Sequence, residues 1–124
     1  MTKTDKIKAY KLGHFAENIA VAVLFLKGYS ILHKRYRSPF GEIDLIAKRG
    51  DTTVFCEVKA RKDYTTAIHS LSVHQQKRIS KSAEYYMSHL KSGNDNNKID
   101  TQIYRCDMVL IIPWRWPVHI KNAW

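Results

Sequence analysis

Residues 41–62, GEIDLIAKRGDTTVFCEVKARK, hold two apolar runs separated by Gly50-Asp51. Gly-Asp is one of the pairs that close two-residue hairpins, since glycine accepts the positive φ such turns need. The stretch therefore predicts two antiparallel strands, about 42–48 and 53–60. With that turn Asp44 falls opposite Glu57, and Glu42 falls opposite Lys59. Side chains alternate along a strand, so Glu42, Asp44, Glu57 and Lys59 should share one face and Ile43, Leu45, Cys56 and Val58 the other. Opposed Cβ atoms lie about 4.5–5.5 Å apart, where like charges destabilise a sheet. A shared proton, a neighbouring Lys or Arg, or a bound cation must offset the repulsion. An ion pair to Lys59 alone would not require the second carboxylate at Asp44. A Mg²⁺ or Mn²⁺ site would use both carboxylates as hard oxygen ligands, with the Val58 carbonyl as a neutral third. A phosphodiester there would be polarised, with Lys59 stabilising charge on its oxygens or orienting the attacking water.

On the N-terminal side, Leu12, Phe15, Ala16, Ile19, Ala20, Val23 and Leu24 recur at spacings of three and four. They predict an amphipathic helix over about 5–27, ended by Gly28. A strand is expected over 29–37, then a turn at Ser38-Pro39-Phe40-Gly41. On the C-terminal side Ser72-Val73-His74-Gln75 has capping-box spacing, and Ile79, Ala83, Tyr86, Met87 and Leu90 form the stripe of a second helix closed by Gly93. Residues 93–98 read as a loop. Residues 105–112 read as a strand buried on both faces, and 118–121 as a short last strand. Trp114 and Trp116 are expected to pack under the Pro-bounded turn between them. The order is α-β-β-β-α-β-β, an α/β (α+β) sandwich of helices on a mixed central sheet.

The chain has 124 residues, enough for one domain over 1–124 with a single core. Its 21 Lys and Arg against 11 Asp and Glu give a formal charge of +10, a field that favours polyanions such as nucleic acid. The N-terminus does not read as a signal peptide, and the longest apolar run, 19–26, is far short of a membrane span. A cytoplasmic protein with no membrane partner is expected. Cys56 and Cys106 stand alone in strand-like surroundings and read as reduced core thiols, and the six His lack zinc spacing.

Asp44, twelve residues, then Glu57-Val58-Lys59 resembles the PD-(D/E)XK nuclease motif, with Ile43 where the name has Pro. A wider pattern is more specific. LGHFAENIAVAVLFLKGYSILHKRYRSPFGEIDLIAKRGDTTVFCEVKAR, YRCDMVLI and the closing PVHIKNAW are similar to the YraN-like uncharacterised bacterial family. That family resembles the archaeal Holliday-junction resolvases, which implies a restriction-endonuclease-like core. The resemblance puts Asp44, Glu57 and Lys59 on metal and catalytic positions and Glu17 on the acidic position of the first helix. Glu17 lies one turn after Gly13, where the helix is expected to approach the sheet closely, and could hold a metal-bound water or a second ion. Gln75-Gln76-Lys77-Arg78 covers the family's Lys-Gln-x-Arg-like stretch, with Gln75 where Lys is usual and Gln76 a candidate for orienting phosphate or water. Asp107, with Arg105 on the same side, reads as structural. Lys34, Arg35, Arg37, Arg61, Lys62, Lys77 and Arg78 would grip phosphates, with Tyr36 available for stacking. The expectation is a Mg²⁺- or Mn²⁺-dependent endonuclease acting on structured or branched DNA. Two symmetric cuts at a junction would make it a homodimer. The competing expectations are a nucleic-acid-binding module that keeps the fold without turnover, and a protein-interaction subunit with no salt-dependent affinity for nucleic acid.

Overall fold

A computed structural model describes residues 2–92 and 103–124, and the expected loop at 93–98, with the closure of the second helix at Gly93, lies outside them. The elements are α1 (Lys3–Leu26), β1 (Ser30–Ser38), β2 (Gly41–Arg49), β3 (Thr52–Ala60), α2 (Tyr64–Ile68), α3 (Val73–Ser92), β4 (Ile103–Ile111) and β5 (Val118–Ile120). The strands form one sheet in the order β1-β2-β3-β4-β5, antiparallel except for the parallel pair β3/β4. A parallel pair needs a crossover rather than a tight turn, and α2 and α3 lie in that crossover. The expected mixed sheet with flanking helices is thus found, with one element more than expected.

That element is α2. Asp63 caps it, its Oδ1 accepting from the Thr66 amide at 2.7 Å, and Ala67 is buried against the core. Five residues are too few for an apolar period to declare a helix, so the only cue in the sequence is the capping residue. For α3 the capping box forms as expected: Ser72 Oγ accepts from the Gln75 amide and Gln75 Oε1 from the Ser72 amide, each at 3.1 Å. Its stripe of Ile79, Ala83, Tyr86 and Met87 covers Ile43, Ile46, Phe55, Met108 and Leu110 on one face of the sheet.

The other face is covered by α1 through Ala20 and Leu24, packed with Leu45, Ala47, Val54, Cys56 and Val109. Thr2 caps α1, its Oγ1 accepting from the Asp5 amide. At the far end Gly28, at φ +90°, turns the chain so that the Tyr29 amide reaches back to the Leu24 carbonyl at 2.9 Å. The apolar stripe of α1 is only half used. Ala16, Ala20 and Leu24 are buried, whereas Leu12 and Phe15 face solvent because the N-terminal half of the helix overhangs the end of β3.

The hairpin turn at Gly50-Asp51 sets the expected register, from Arg49↔Thr52 to Leu45↔Cys56. The expected division of faces needs one correction. Leu45, Cys56 and Val58 pack on the α1 side, but Ile43 packs on the α3 side. Arg35, between Lys34 and Tyr36, which pair with Leu45 and Ile43, has φ +53°, a left-handed conformation that breaks the alternation of side chains in β1. His33 and Tyr36 show the break directly. Three residues apart, they both stack edge-on against Tyr86, with ring centroids at 5.5 and 5.3 Å.

The tail is fastened by Asp107, which is fully buried in β4. It accepts from Arg105 Nε at 2.9 Å and from the Asn122 amide at 3.0 Å, and pairs with His119 Nε2 at 2.7 Å. Burial opposes its ionisation, but the bonds from His119 and Arg105 prevail and hold its carboxyl below the ordinary range. The structural role expected for Asp107 is the one observed. Cys56 and Cys106 are free and buried, as expected, and burial raises both thiols, Cys106 to about 11, so neither is a thiolate near neutral pH. Trp114 and Trp116 do not pack under their turn: Trp114 is fully exposed and Trp116 is 90 % exposed.

Candidate functional site

The ladder between β2 and β3 ends at Leu45↔Cys56, one step before Asp44 and Glu57. Where the strands part, Asp44 takes over as bonding partner, its Oδ2 accepting from the Val58 amide at 2.8 Å. Its position in the hairpin therefore serves two purposes: the carboxylate closes the gap in the backbone pairing and presents its charge at the sheet's edge. Glu57 lies beside it, close enough to share a hydrogen bond. Lys59 Nζ pairs with Glu57 Oε1 at 3.1 Å, and both side chains are 13 % exposed.

An open cavity of about 470 Å³ lies above this pair. Its sheet side is made by Glu42, Asp44, Glu57 and Val58, and its helix side by Gly13, His14 and Glu17 of α1. Arg35 and Arg37 of β1 complete the rim. Arg35 grips Glu17, with NH2 at 2.7 Å from Oε2 and Nε at 3.1 Å from the same oxygen, and its guanidinium also reaches the His14 ring. Arg37 is 87 % exposed and stands 3.4 Å from Glu42. Glu57 also borders a smaller cavity of about 60 Å³ shared with Glu42, Gln75 and Arg78.

Desolvation raises the Asp44 carboxyl to about 7. The neighbouring charge of Glu57 adds to the shift, the Val58 amide opposes it, and Glu17 contributes a further rise. The part due to Glu57 is the repulsion the sequence predicts for two opposed carboxylates, and it adds to the larger effect of burial.

Among the described residues no group of three or more His, Cys, Asp or Glu side chains is placed to hold a metal ion. Mg²⁺ commonly uses only one or two carboxylates and completes its shell with water and substrate oxygens. Asp44 and Glu57 are such a pair, and a cation would offset both the burial and the repulsion that raise the Asp44 carboxyl. The donor set fits a hard divalent ion. Glu17 is already compensated by Arg35 and Glu57 by Lys59, whereas Asp44 is bonded to a backbone amide.

Not every expected residue is gathered here. Gln76 lines neither cavity, and its Nε2 donates to the Leu71 carbonyl at 3.3 Å; Gln75, otherwise occupied with capping α3, borders the smaller cavity. Tyr36 does not line the main cavity; its half-buried ring packs edge-on against Tyr86 beside the core cluster on the α3 side. Lys34 lies outside the main cavity beside His14 and Glu17, and Lys77 is exposed on α3. Arg61 and Lys62 stand on the opposite flank of α1. Gly13 does not mark a close approach: a Cβ there would meet nothing within 4 Å. Sequence reading gave no role to His14, whose one cue is its place a turn before Glu17.

These features define a class: a three-layer α/β protein with a carboxylate pair at the parting of two central strands and a cationic rim around it. The chain belongs to the Uncharacterised protein family UPF0102, which it matches over residues 16–111. This is the YraN-like family that its sequence resembles. It is 47 % identical to a UPF0102 protein of Mesorhizobium japonicum over 116 residues, covering 94 % of this chain and 88 % of that one. A UPF0102 protein of Sinorhizobium medicae is 44 % identical over 118 residues, covering 95 % and 92 %. One of a Chelativorans species is 41 % identical over 122 residues, covering 98 % and 94 %.

Proposed function

We propose that the protein is a metal-dependent endonuclease that hydrolyses phosphodiester bonds in structured or branched DNA. The observation that carries this reading is the Asp44/Glu57 pair: two largely buried carboxylates held together against their repulsion, lining an open cavity, on a chain of formal charge +10. Structural ion pairs do not need that arrangement, whereas polyanion chemistry with a hard cation does. The resemblance to PD-(D/E)XK nucleases points the same way. Held by Asp44 and Glu57, Mg²⁺ or Mn²⁺ would supply Lewis-acid polarisation of the scissile phosphate.

The chain's own groups do the rest. The Val58 amide fixes Asp44 before substrate arrives, so its orientation costs little at the moment of reaction. Lys59 places an ammonium beside Glu57, near where charge grows on the phosphoryl oxygens. Arg37 and Arg78 offer guanidinium groups from two sides of Glu57, suited to steering a phosphate into the cavity. Two symmetric cuts at a four-way junction would take two such sites, hence two copies of the chain.

A second reading, a nucleic-acid-binding module without turnover, is favoured by the ion pairs Lys59–Glu57 and Arg35–Glu17, which balance two of the three carboxylates internally. The test compares wild type with Asp44→Asn and Glu57→Gln on four-way, flap and duplex DNA, with Mn²⁺, Mg²⁺ or EDTA. Nuclease action predicts cleavage with metal that falls at least about a hundredfold in either variant, the scale of losing a principal electrostatic group. Equal cleavage by the variants overturns the site. Salt-sensitive binding with no cleavage under any metal establishes the second reading instead.

A further inference from the structure

Across α1 from the carboxylate cavity lies an apolar groove of about 530 Å³, floored by Leu12, Phe15, Ile111 and Pro113 and edged by Arg61 and Lys62. Leu12 and Phe15 are mostly exposed. The chain runs from the groove at Pro113 straight into Trp114-Arg115-Trp116, whose indoles are among the most exposed large apolar groups in the described residues. The Trp114 backbone adds to the puzzle. In the turn closed by the Arg115 amide on the Ile112 carbonyl it has φ +64°, a conformation that glycine or asparagine adopts with less strain. A large aromatic in that conformation, with its ring in water, contributes nothing to the fold. Such local strain points to a function at the surface.

The surroundings state what would cover these rings. Every charged residue of the groove and the turn is cationic: Arg61, Lys62 and Arg115. An occupant must be anionic at its edges yet flat and apolar in its body. Unpaired nucleotides have that combination: the phosphates meet cations while each base offers a π-face to an aromatic ring, whatever its identity. Duplex DNA does not, since its bases are already stacked. The groove also adjoins the site through β3, where Glu57 and Val58 line the cavity and Ala60 lines the groove. Ala60 is two steps along the strand from Val58, roughly 7 Å.

We infer that the groove with Trp114 and Trp116 is a base-stacking platform for a single-stranded segment of nucleic acid leading to the carboxylate site. The inference deepens the nuclease reading and rests on it for the polarity of the argument. It makes the preferred substrate one with unpaired nucleotides beside the scissile phosphate, such as a flap or splayed junction, rather than plain duplex.

The test uses the full chain carrying Glu57→Gln to suppress cleavage, with and without Trp114→Ala/Trp116→Ala, and titrates it with a 15-nucleotide oligothymidylate and a blunt 15-base-pair duplex. Tryptophan emission reports the contact directly, because Trp124, the remaining indole, donates to Ser80 Oγ at 3.0 Å and is half-buried. The single strand should quench emission strongly in the parent. In the double variant, with the affinities of both proteins read from the anisotropy of end-labelled ligands, single-strand affinity should fall by roughly ten- to a hundredfold, the worth of one or two stacked bases, with duplex affinity unchanged within about twofold. Equal loss for both ligands, or none for either, overturns the platform. So does concentration-dependent self-association that the double variant abolishes, which would make the patch an interface between copies, and so does tighter binding of an acidic amphipathic peptide than of the oligonucleotide. Both indoles are at the surface, so matching thermal unfolding of parent and variant confirms that the fold is kept. The nuclease reading fails separately, by metal-dependent cleavage that survives Asp44→Asn, and that result leaves the quenching experiment intact.

Discussion

The Asp44 carboxyl, raised to about 7, makes the stability of the protein depend on pH in a definite direction. An acid with a raised pKa in the folded state keeps a proton that the unfolded chain releases. Between about pH 4 and pH 7 folding therefore takes up a proton, and stability falls as pH rises. The unfavourable contribution is complete above pH 7. Asp44→Asn removes it while keeping an oxygen for the Val58 amide. In EDTA the variant's midpoint should gain on wild type progressively from about pH 4.5 to 8, by several degrees or more in a domain of this size. A gain that is the same at every pH would place the cause elsewhere. Added Mn²⁺ at pH 8 should raise the wild-type midpoint and leave Asp44→Asn unmoved, since a cation takes the place of the missing proton. Gly13 is the neighbouring case. A mid-helix glycine costs roughly 0.5–1 kcal/mol relative to alanine, and no packing contact requires it, yet it forms part of the cavity wall. Gly13→Ala should therefore raise the unfolding midpoint and lower cleavage, and activity equal to wild type would show that substrate does not pass that stretch of helix.

At the scale of elements, the hairpin was legible because two independent cues agreed: the Gly50-Asp51 turn and the apolar runs on either side of it. Its register followed, and with it the meeting of Asp44 and Glu57. The reversal of Ile43 was not legible. It follows the left-handed backbone of Arg35, and arginine carries no signal for that conformation as glycine would. The apolar stripe of α1 misled in another way, since periodicity shows that a face is apolar but not what lies against it. The last strand is held by its short ladder to β4 and, beyond the ladder, by a side chain. Removing the Asp107 carboxylate in Asp107→Ala leaves Arg105, His119 and the Asn122 amide without their common acceptor. Breaking one side of a buried charged network costs about 3–5 kcal/mol. Hydrogen exchange should show β5 and the residues after it losing protection first, with the β2/β3 amides affected only through global stability. Uniform loss across the sheet would mean that Asp107 supports the whole core rather than the tail.

Across the whole molecule, the charge of +10 gives the expectation of a polyanion partner, but sequence does not say which cations act together. The fold separates them. Arg37 and Arg78 face the carboxylate cavities, Arg61 and Lys62 edge the apolar groove, and Arg35 is held by Glu17 and His14. No described helix is long and apolar enough to cross a membrane, so in these helices the basic residues do not flank a bilayer span. The division has a measurable consequence in the salt dependence of binding. Each phosphate neutralised on duplex contributes about −0.9 to the slope of log affinity against log salt, and about −0.7 on a single strand. Arg37→Ala and Arg78→Ala should each reduce the slope by about 0.9 on duplex and about 0.7 on single strand, because each cation meets a phosphate beside the site on either ligand. Arg61→Ala/Lys62→Ala should reduce it mainly on ligands with unpaired nucleotides, since duplex does not enter the groove. Lys77, exposed on α3 away from both cavities, is the control: Lys77→Ala should leave either slope unchanged. If all four cations changed the slope equally on every ligand, the positive charge would act as a diffuse cloud, and the path from groove to carboxylates would have no part in recognition.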